Sequence, residues 1–400
     1  MLLRTRVARN ARCVAVKSTR TGRFGRPGSP FSSSSPLQDE LETPADPHGR
    51  SATYHVPTPF TLENGSVLDD VQVAYTTYGQ LNAARDNAIV ICHPLTSNSF
   101  VHEWWGAMVA PEWTDRYFIV CANILGSCLG TTGPASIHPV TQRPYGPSFP
   151  RVTMRDAVQL HKRLVQEELG IQKIQSVIGG SLGGMQTLEW ALLAEPDYVK
   201  SIVSVAANSH HSAWQIGMLE MQRQAIYMDP LFQGGHYDPQ APPRRGLALA
   251  RETALISYRT HEAYRTKFGR EQVREQQEEC RPSKHPRYQV QSYLAYQGQK
   301  FMSTFDANSY LTLSHLADSH DVGRGRGGIA AALATIEQPA LIIGIESDVL
   351  YPLVEQRELA EALPTATFEV LNTINGHDDL FIEQETISRL ARAFLDQQQC

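Results

Sequence analysis

The apolar residues of this 400-residue chain fall into two kinds of pattern. Some form short continuous runs: "NAIVICHPL" (87–95), "YFIVCANIL" (117–125), "IQSVIGG" (174–180), "VKSIVSVAAN" (199–208) and "PALIIGIESD" (339–348). Runs of this length, rich in Val and Ile and closed by Gly, Pro or Asn, predict strands buried on both faces. "TFEVLN" (367–372) reads as a last strand. Others repeat with helical spacing: residues 154–169, "GGMQTLEWALLAEP" (183–196, stopped by Pro196), 353–362 and 383–398. In "FTLENGSVLDDVQVAYTTYG" (60–79) an Asn-Gly pair separates alternating segments, the signature of a β-hairpin. Strands that alternate with helices predict an α/β fold, a mostly parallel sheet covered by helices on both faces.

The rhythm breaks between about 209 and 325, where the chain is polar, rich in Gln, Arg and Tyr, and without clear buried strands. This segment reads as a helical lid inserted between a first core part, 55–208, and a second, 326–398. Residues 41–54 read as a linker. Residues 1–40 differ again: no Asp or Glu precedes Asp39, eight basic residues lie between Arg4 and Arg26, and a serine run covers 32–35. Arg-rich, Ser-rich and acid-free is the composition of a mitochondrial transit peptide, which predicts the matrix; a plain basic tail would leave the chain cytoplasmic.

Composition narrows the class. With 42% hydrophobic and 19% charged residues the chain has ordinary globular chemistry, and a net charge of −5 offers no basic field for nucleic acid. No apolar run approaches the roughly 20 residues of a membrane span. The six cysteines are scattered without a C-x-x-C pair, which suits reduced thiols. His210-His211 and His315 with His320 lack a third ligand in register, so no metal site is expected.

The chemistry concentrates around Ser181. Gly179-Gly180-Ser181-Leu182-Gly183 satisfies G-x-S-x-G, with a strand before it and a helix after it, the context of a nucleophile elbow. The bland alternative is a glycine-rich packing turn. A serine needs a base, and the base needs an orienting carboxylate. Asp348 directly follows "ALIIGIES" (340–347), with Glu346 as a rival, and His377 lies in "NGHDDLF" between the last strand and the last helix. The order Ser, acid, His is the one expected when such an elbow carries a triad. The backbone N–H groups of Leu182 and of Leu95, in "HPLTS" (93–97), are the expected oxyanion donors. "GRGRGG" (323–328) offers arginines for an anion or is simply a flexible exit from the lid; Trp104 and Trp105 either line a pocket or fill the core.

Several stretches carry a family resemblance: "CHPLTSNSF…WW", the segment from Cys121 through "GSCLGTTGPASIHPVTQRPYGPSFPRVTMRD", "IGGSLGGMQTLEWA", "QRQAIYMDP", "FDANSYL" and "NGHDDLF". The chain resembles the MetX-type homoserine and serine O-acyltransferases, over about residues 55–396. The resemblance implies an α/β-hydrolase fold, a triad on Ser181, Asp348 and His377, an acceptor-holding arginine at Arg223 and an acceptor-holding carboxylate at Asp378. It departs where Leu182 replaces the family's usual Met and where Ser-Asn-Ser follows "HPLT".

What the resemblance implies chemically is a ping-pong transfer. Ser181 attacks an acyl-CoA thioester, CoA leaves, and a hydroxy amino acid takes the acyl group. Acyl-CoA is then a co-substrate, with no bound cofactor, and the partners are small molecules; a homodimer through the lid region is a further expectation. The N-terminal composition tilts the acceptor toward L-serine and cysteine synthesis, with L-homoserine and methionine synthesis as the alternative, while the acyl group stays open between acetyl and succinyl. A serine esterase would share the same triad, and a non-catalytic binding scaffold would share the fold.

Overall fold

A computed structural model of the chain describes residues 48–195, 197–273 and 286–398. The basic segment 1–40 and residues 41–47 of the expected linker lie outside the described residues. The strands are β1 (Arg50–His55), β2 (Phe60–Thr61), β3 (Val67–Leu68), β4 (Gln72–Tyr78), β5 (Ala88–Cys92), β6 (Phe118–Ala122), β7 (Ile174–Gly180), β8 (Ile202–Val205), β9 (Ala340–Ile345) and β10 (Ala366–Leu371). Eight of them form one sheet, ordered β1-β4-β6-β5-β7-β8-β9-β10. The contacts from β6 to β10 are all parallel. Only β4 runs against its neighbours, pairing antiparallel with both β1 and β6.

Period-2 geometry explains why the central strands read as unbroken apolar runs. Along β7, Val177 enters a cluster with Met185, Leu188, Trp190 and Val158. The next residue, Ile178, enters the opposite cluster with Trp105, Trp113, Ile387 and Phe394. Helices Met154–Arg163 and Leu182–Leu193 thus cover one face, and helix Gln384–Gln397 the other. The Asn64-Gly65 turn closes the small β2–β3 pair, with Gly65 at φ 84°.

One boundary differs from the sequence reading. β1 begins at Arg50, inside the segment taken as linker, and pairs along its length with β4. It was hidden because it is an edge strand with only Tyr54 buried, so no alternation marks it.

Between β8 and β9 the chain forms helices Ala213–Tyr227, Arg244–Tyr258, His261–Phe268, Gln289–Phe301 and Ala307–Asp318. They carry an apolar cluster of their own, built on Ile226, Leu247, Phe301 and Tyr310. The parallel strands all end on one edge of the sheet. Open α/β sheets keep their ligands at that edge.

Candidate active site

Ser181 sits between the end of β7 and the first residue of helix Leu182–Leu193, at φ 56° and ψ −124°. A non-glycine residue in that region is strained, and such strain persists only where the surroundings impose it. The neighbouring glycines do the imposing. A Cβ on Gly183 would lie 2.0 Å from the carbonyl oxygen of Cys92, and one on Gly179 would lie 2.3 Å from that of Gly183. The strand–helix turn therefore packs backbone to backbone against the end of β5. The Ser181 N–H is held by the carbonyl of Val205 at 2.9 Å.

His377 lies in the turn Gly376–Asp378 after β10, and Asp348 in the loop after β9. His377 Nδ1 is 2.7 Å from Asp348 Oδ2. Asp348 Oδ1 accepts from the N–H groups of Leu350 and Tyr351, both at 2.9 Å, so the carboxylate is fixed in place. The Gly376 N–H donates to Ser347 Oγ at 3.0 Å and ties the two loops together. Glu346, the rival acid, is exposed. Burial pushes the His377 imidazole down, but the charge and hydrogen bond of Asp348, with the charge of Asp378, outweigh it and hold its pKa above the usual value.

Leu182 opens its helix, so its N–H has no intrahelical acceptor. Leu95 follows His93-Pro94 in the loop after β5, and a buried histidine pins that loop. His93 Nε2 accepts from the Ile124 N–H at 3.2 Å, which leaves Nδ1 to donate to the Pro94 carbonyl at 2.7 Å. Burial holds the His93 pKa down at about 4, consistent with a neutral ring in this role.

Ser181, Leu182, Leu95, His377 and Asp378 line one cavity of about 540 Å³. Its other wall comes from the inserted helices, through Leu219, Arg251, Leu255, Tyr258, Tyr293 and Gln297. Asp378 is ion-paired with Arg259 on that wall. Arg223 does not reach the lining. It is buried, with Nη1 2.8 Å from Asp318 Oδ2 and Nε 2.7 Å from Glu220 Oε2. Two residues do reach it that were not expected at the site: Tyr351, which the sequence reading did not single out, and His211, weighed there only as a metal ligand. Burial and the Asp348 charge push the Tyr351 phenol well above its ordinary pKa.

A model of the alpha/beta hydrolase fold matches residues 87–383. The homoserine O-acetyltransferase of Trichormus variabilis is 49% identical over 345 residues, covering 85% of this chain and 92% of the relative. The chain belongs to the MetX-type acyltransferase family. Among solved structures, the homoserine O-acetyltransferase of Bacillus anthracis matches with a TM-score of 0.78 at 26% identity, covering 86% of this chain and 97% of the other. Esterase E22 matches with a TM-score of 0.77 at 27% identity, covering 86% of this chain and 99% of its own.

The other motifs of this MetX-type chain are spent on structure. Arg324 bonds both oxygens of Glu63, at 2.8 and 2.9 Å, and Arg326 grips the buried Glu189 through both of its oxygens, at 3.0 and 2.7 Å. The arginines of "GRGRGG" thus lock the exit of the insertion onto the core. The loop 126–134 stays out of the cavity; Thr131 and Thr132 cap the N–H groups of Ala74 and Gln72 on β4. Trp104 lines the cavity, whereas Trp105 is fully buried and donates to the Leu380 carbonyl at 2.8 Å. Among the described residues no group of three His, Cys, Asp or Glu is placed to hold a metal ion.

Proposed function

We propose that this chain transfers an acetyl group from acetyl-CoA to the side-chain hydroxyl of L-homoserine, in methionine biosynthesis, through an acyl-Ser181 intermediate. The observation that carries the reading is the 2.7 Å pair of His377 and Asp348 in the same cavity as the strained Ser181. Ser181 attacks the thioester, and His377, oriented by Asp348, takes its proton and delivers it to the departing CoA thiolate. The amides of Leu182 and Leu95 stabilise the tetrahedral oxyanion, each of the kind that contributes about 3 kcal/mol. The homoserine hydroxyl then gives its proton to His377 and attacks the ester carbonyl, and Ser181 leaves with that proton restored.

Homoserine and acetyl are preferred over serine and succinyl because the curated relatives are named homoserine O-acetyltransferases. The serine preference rested on the composition of residues 1–40, which the fold does not inform. The resemblance assigns the acceptor carboxylate to Arg223 and its ammonium to Asp378. Asp378 lines the cavity beside His377, which supports its part of the assignment. Arg223 lies outside this lining with its guanidinium paired to Asp318, so the geometry lends that part of the assignment no support.

The inserted helices act as the lid that keeps water from the acyl-enzyme. A homodimer through them is supported by the apolar side chains they leave exposed, among them Trp214, Met221, Met228, Leu249 and Ile256. A second reading, hydrolysis, is favoured by the likeness to esterase E22. A CoA-release assay crossing acetyl-CoA and succinyl-CoA with homoserine and serine decides between them. Release with acetyl-CoA that depends on homoserine supports the transferase; release indifferent to any acceptor supports the hydrolase.

A further inference from the structure

A second histidine–carboxylate pair approaches Ser181, and the chemistry above does not use it. Its members come from three separate elements: Asp318 ends helix Ala307–Asp318, His211 precedes helix Ala213–Tyr227, and Tyr351 lies in the loop after β9. Asp318 Oδ2 is 2.8 Å from Arg223 Nη1, and Oδ1 is 3.1 Å from His211 Nδ1. His211 Nε2 is 3.0 Å from the Tyr351 hydroxyl. The Tyr351 ring stands 5.1 Å from the His377 ring, and Tyr351 lines the same cavity as Ser181.

Hydrogen-bond accounting sets the direction of this chain. A carboxylate paired with a guanidinium only accepts, so His211 Nδ1 carries the proton. In its neutral form the ring has just its Nε2 lone pair free, and that lone pair accepts from Tyr351. The single proton of Tyr351 is thereby directed away from the cavity. Toward Ser181 and the cavity its oxygen presents lone pairs alone. Once Ser181 is acylated it has no proton to give, and this acceptor is open to the second substrate.

We propose that Tyr351, held by His211 and Asp318, is a specificity-determining residue for the acceptor, its oxygen accepting a hydrogen bond from the ammonium group of the amino acid. The proposal rests on the acyl-transfer reading above. An ammonium brings three N–H donors, and the Asp378 carboxylate is already shared with Arg259. Asp378 supplies the charge, and Tyr351 supplies a neutral, pre-oriented second acceptor. Donor acylation, which involves no ammonium, does not need it.

The test is Tyr351→Phe, assayed with homoserine and with 4-hydroxybutanoate, the same molecule without its amino group. A hydrogen bond to a charged group predicts that kcat/KM for homoserine falls roughly 10- to 100-fold, mostly through KM. With 4-hydroxybutanoate the fall should be under about 3-fold, and the acylation burst with p-nitrophenyl acetate should persist. Equal losses with both acceptors, a lost burst, or no change with homoserine would overturn the proposal. Should Tyr351→Phe fold poorly, Asp318→Asn gives an independent reading. Its amide donates to His211 Nδ1, the ring must then donate from Nε2, and the Tyr351 proton turns toward the cavity, so homoserine should again suffer more than the deamino acceptor; an equal loss with both acceptors counts against the relay. A wild-type enzyme that never transfers to homoserine defeats the acyl-transfer reading as well, whereas a transferring wild type with an unaltered Tyr351→Phe defeats this proposal alone.

Discussion

Replacing Asp348 by Asn tests the proposed base with little disturbance to the fold. The Asn carbonyl oxygen can take over the two backbone bonds from Leu350 and Tyr351, both 2.9 Å in the native loop. The loop should therefore keep its place. The amide NH2 then faces His377 Nδ1, where the carboxylate stood 2.7 Å away, and it can only donate. His377 is driven to the tautomer with its proton on Nε2, the nitrogen that must accept from Ser181. An exchange of this kind lowers turnover about 10⁴-fold. At about 1.4 kcal/mol per decade, that is roughly 5.5 kcal/mol of transition-state stabilisation. Stopped-flow CoA release with homoserine present measures it, alongside a melting curve to confirm the fold. The charge of Asp348 also holds the His377 pKa up, so the acidic limb of the residual rate should move to lower pH in the variant. A loss under about 10²-fold, in a folded protein with an unmoved acidic limb, would refute the assignment of Asp348 as orienter.

Gly183→Ala sets a Cβ 2.0 Å from the backbone oxygen of Cys92, which no rotamer change relieves; a loss of about 3 kcal/mol, the upper part of the overpacking range, should appear in denaturant unfolding, together with loss of activity. Among the described residues, Arg326→Gln leaves the buried Glu189 with Arg155, at 3.4 Å, as its remaining ion-pair partner; stability should fall by about 3 kcal/mol while the KM for acetyl-CoA stays put, and a raised KM with stability intact would return "GRGRGG" to the CoA site. In the wild type, acylation requires neutral His377, so its rate should fall as pH drops through a pKa above the ordinary value near 6.5; a limb centred below that value would contradict the raised pKa.

Much of this molecule was legible because its signals are local. β5, β7 and β9 are buried on both faces, so they announce themselves as apolar runs. Ser181 and Asp348 each follow such a run, His377 follows the more exposed last strand, and chain order lined up the three as candidates. What stayed hidden depends on partners far along the chain. Nothing in "QRQAI" shows that Arg223 is neutralised by Asp318, ninety-odd residues on. Nothing in "GRGRGG" reveals Glu63 and Glu189 waiting for its arginines. His211 looked only like half of a failed metal pair, because its partners Asp318 and Tyr351 lie on two other elements. Tyr351 was the one visible clue: it falls three residues after Asp348, in a loop already assigned to the site.

The central claim is an acyl group on Ser181 that homoserine, and not water, removes. Mixing the enzyme with acetyl-CoA, quenching, and mapping the modified peptide by mass spectrometry tests it directly. The account predicts one acetyl group on Ser181 that persists without acceptor and is discharged on adding homoserine, with O-acetylhomoserine formed in equal amount. No acetyl on Ser181 under any quench, or an acetyl that water discharges as fast as homoserine does, would contradict it.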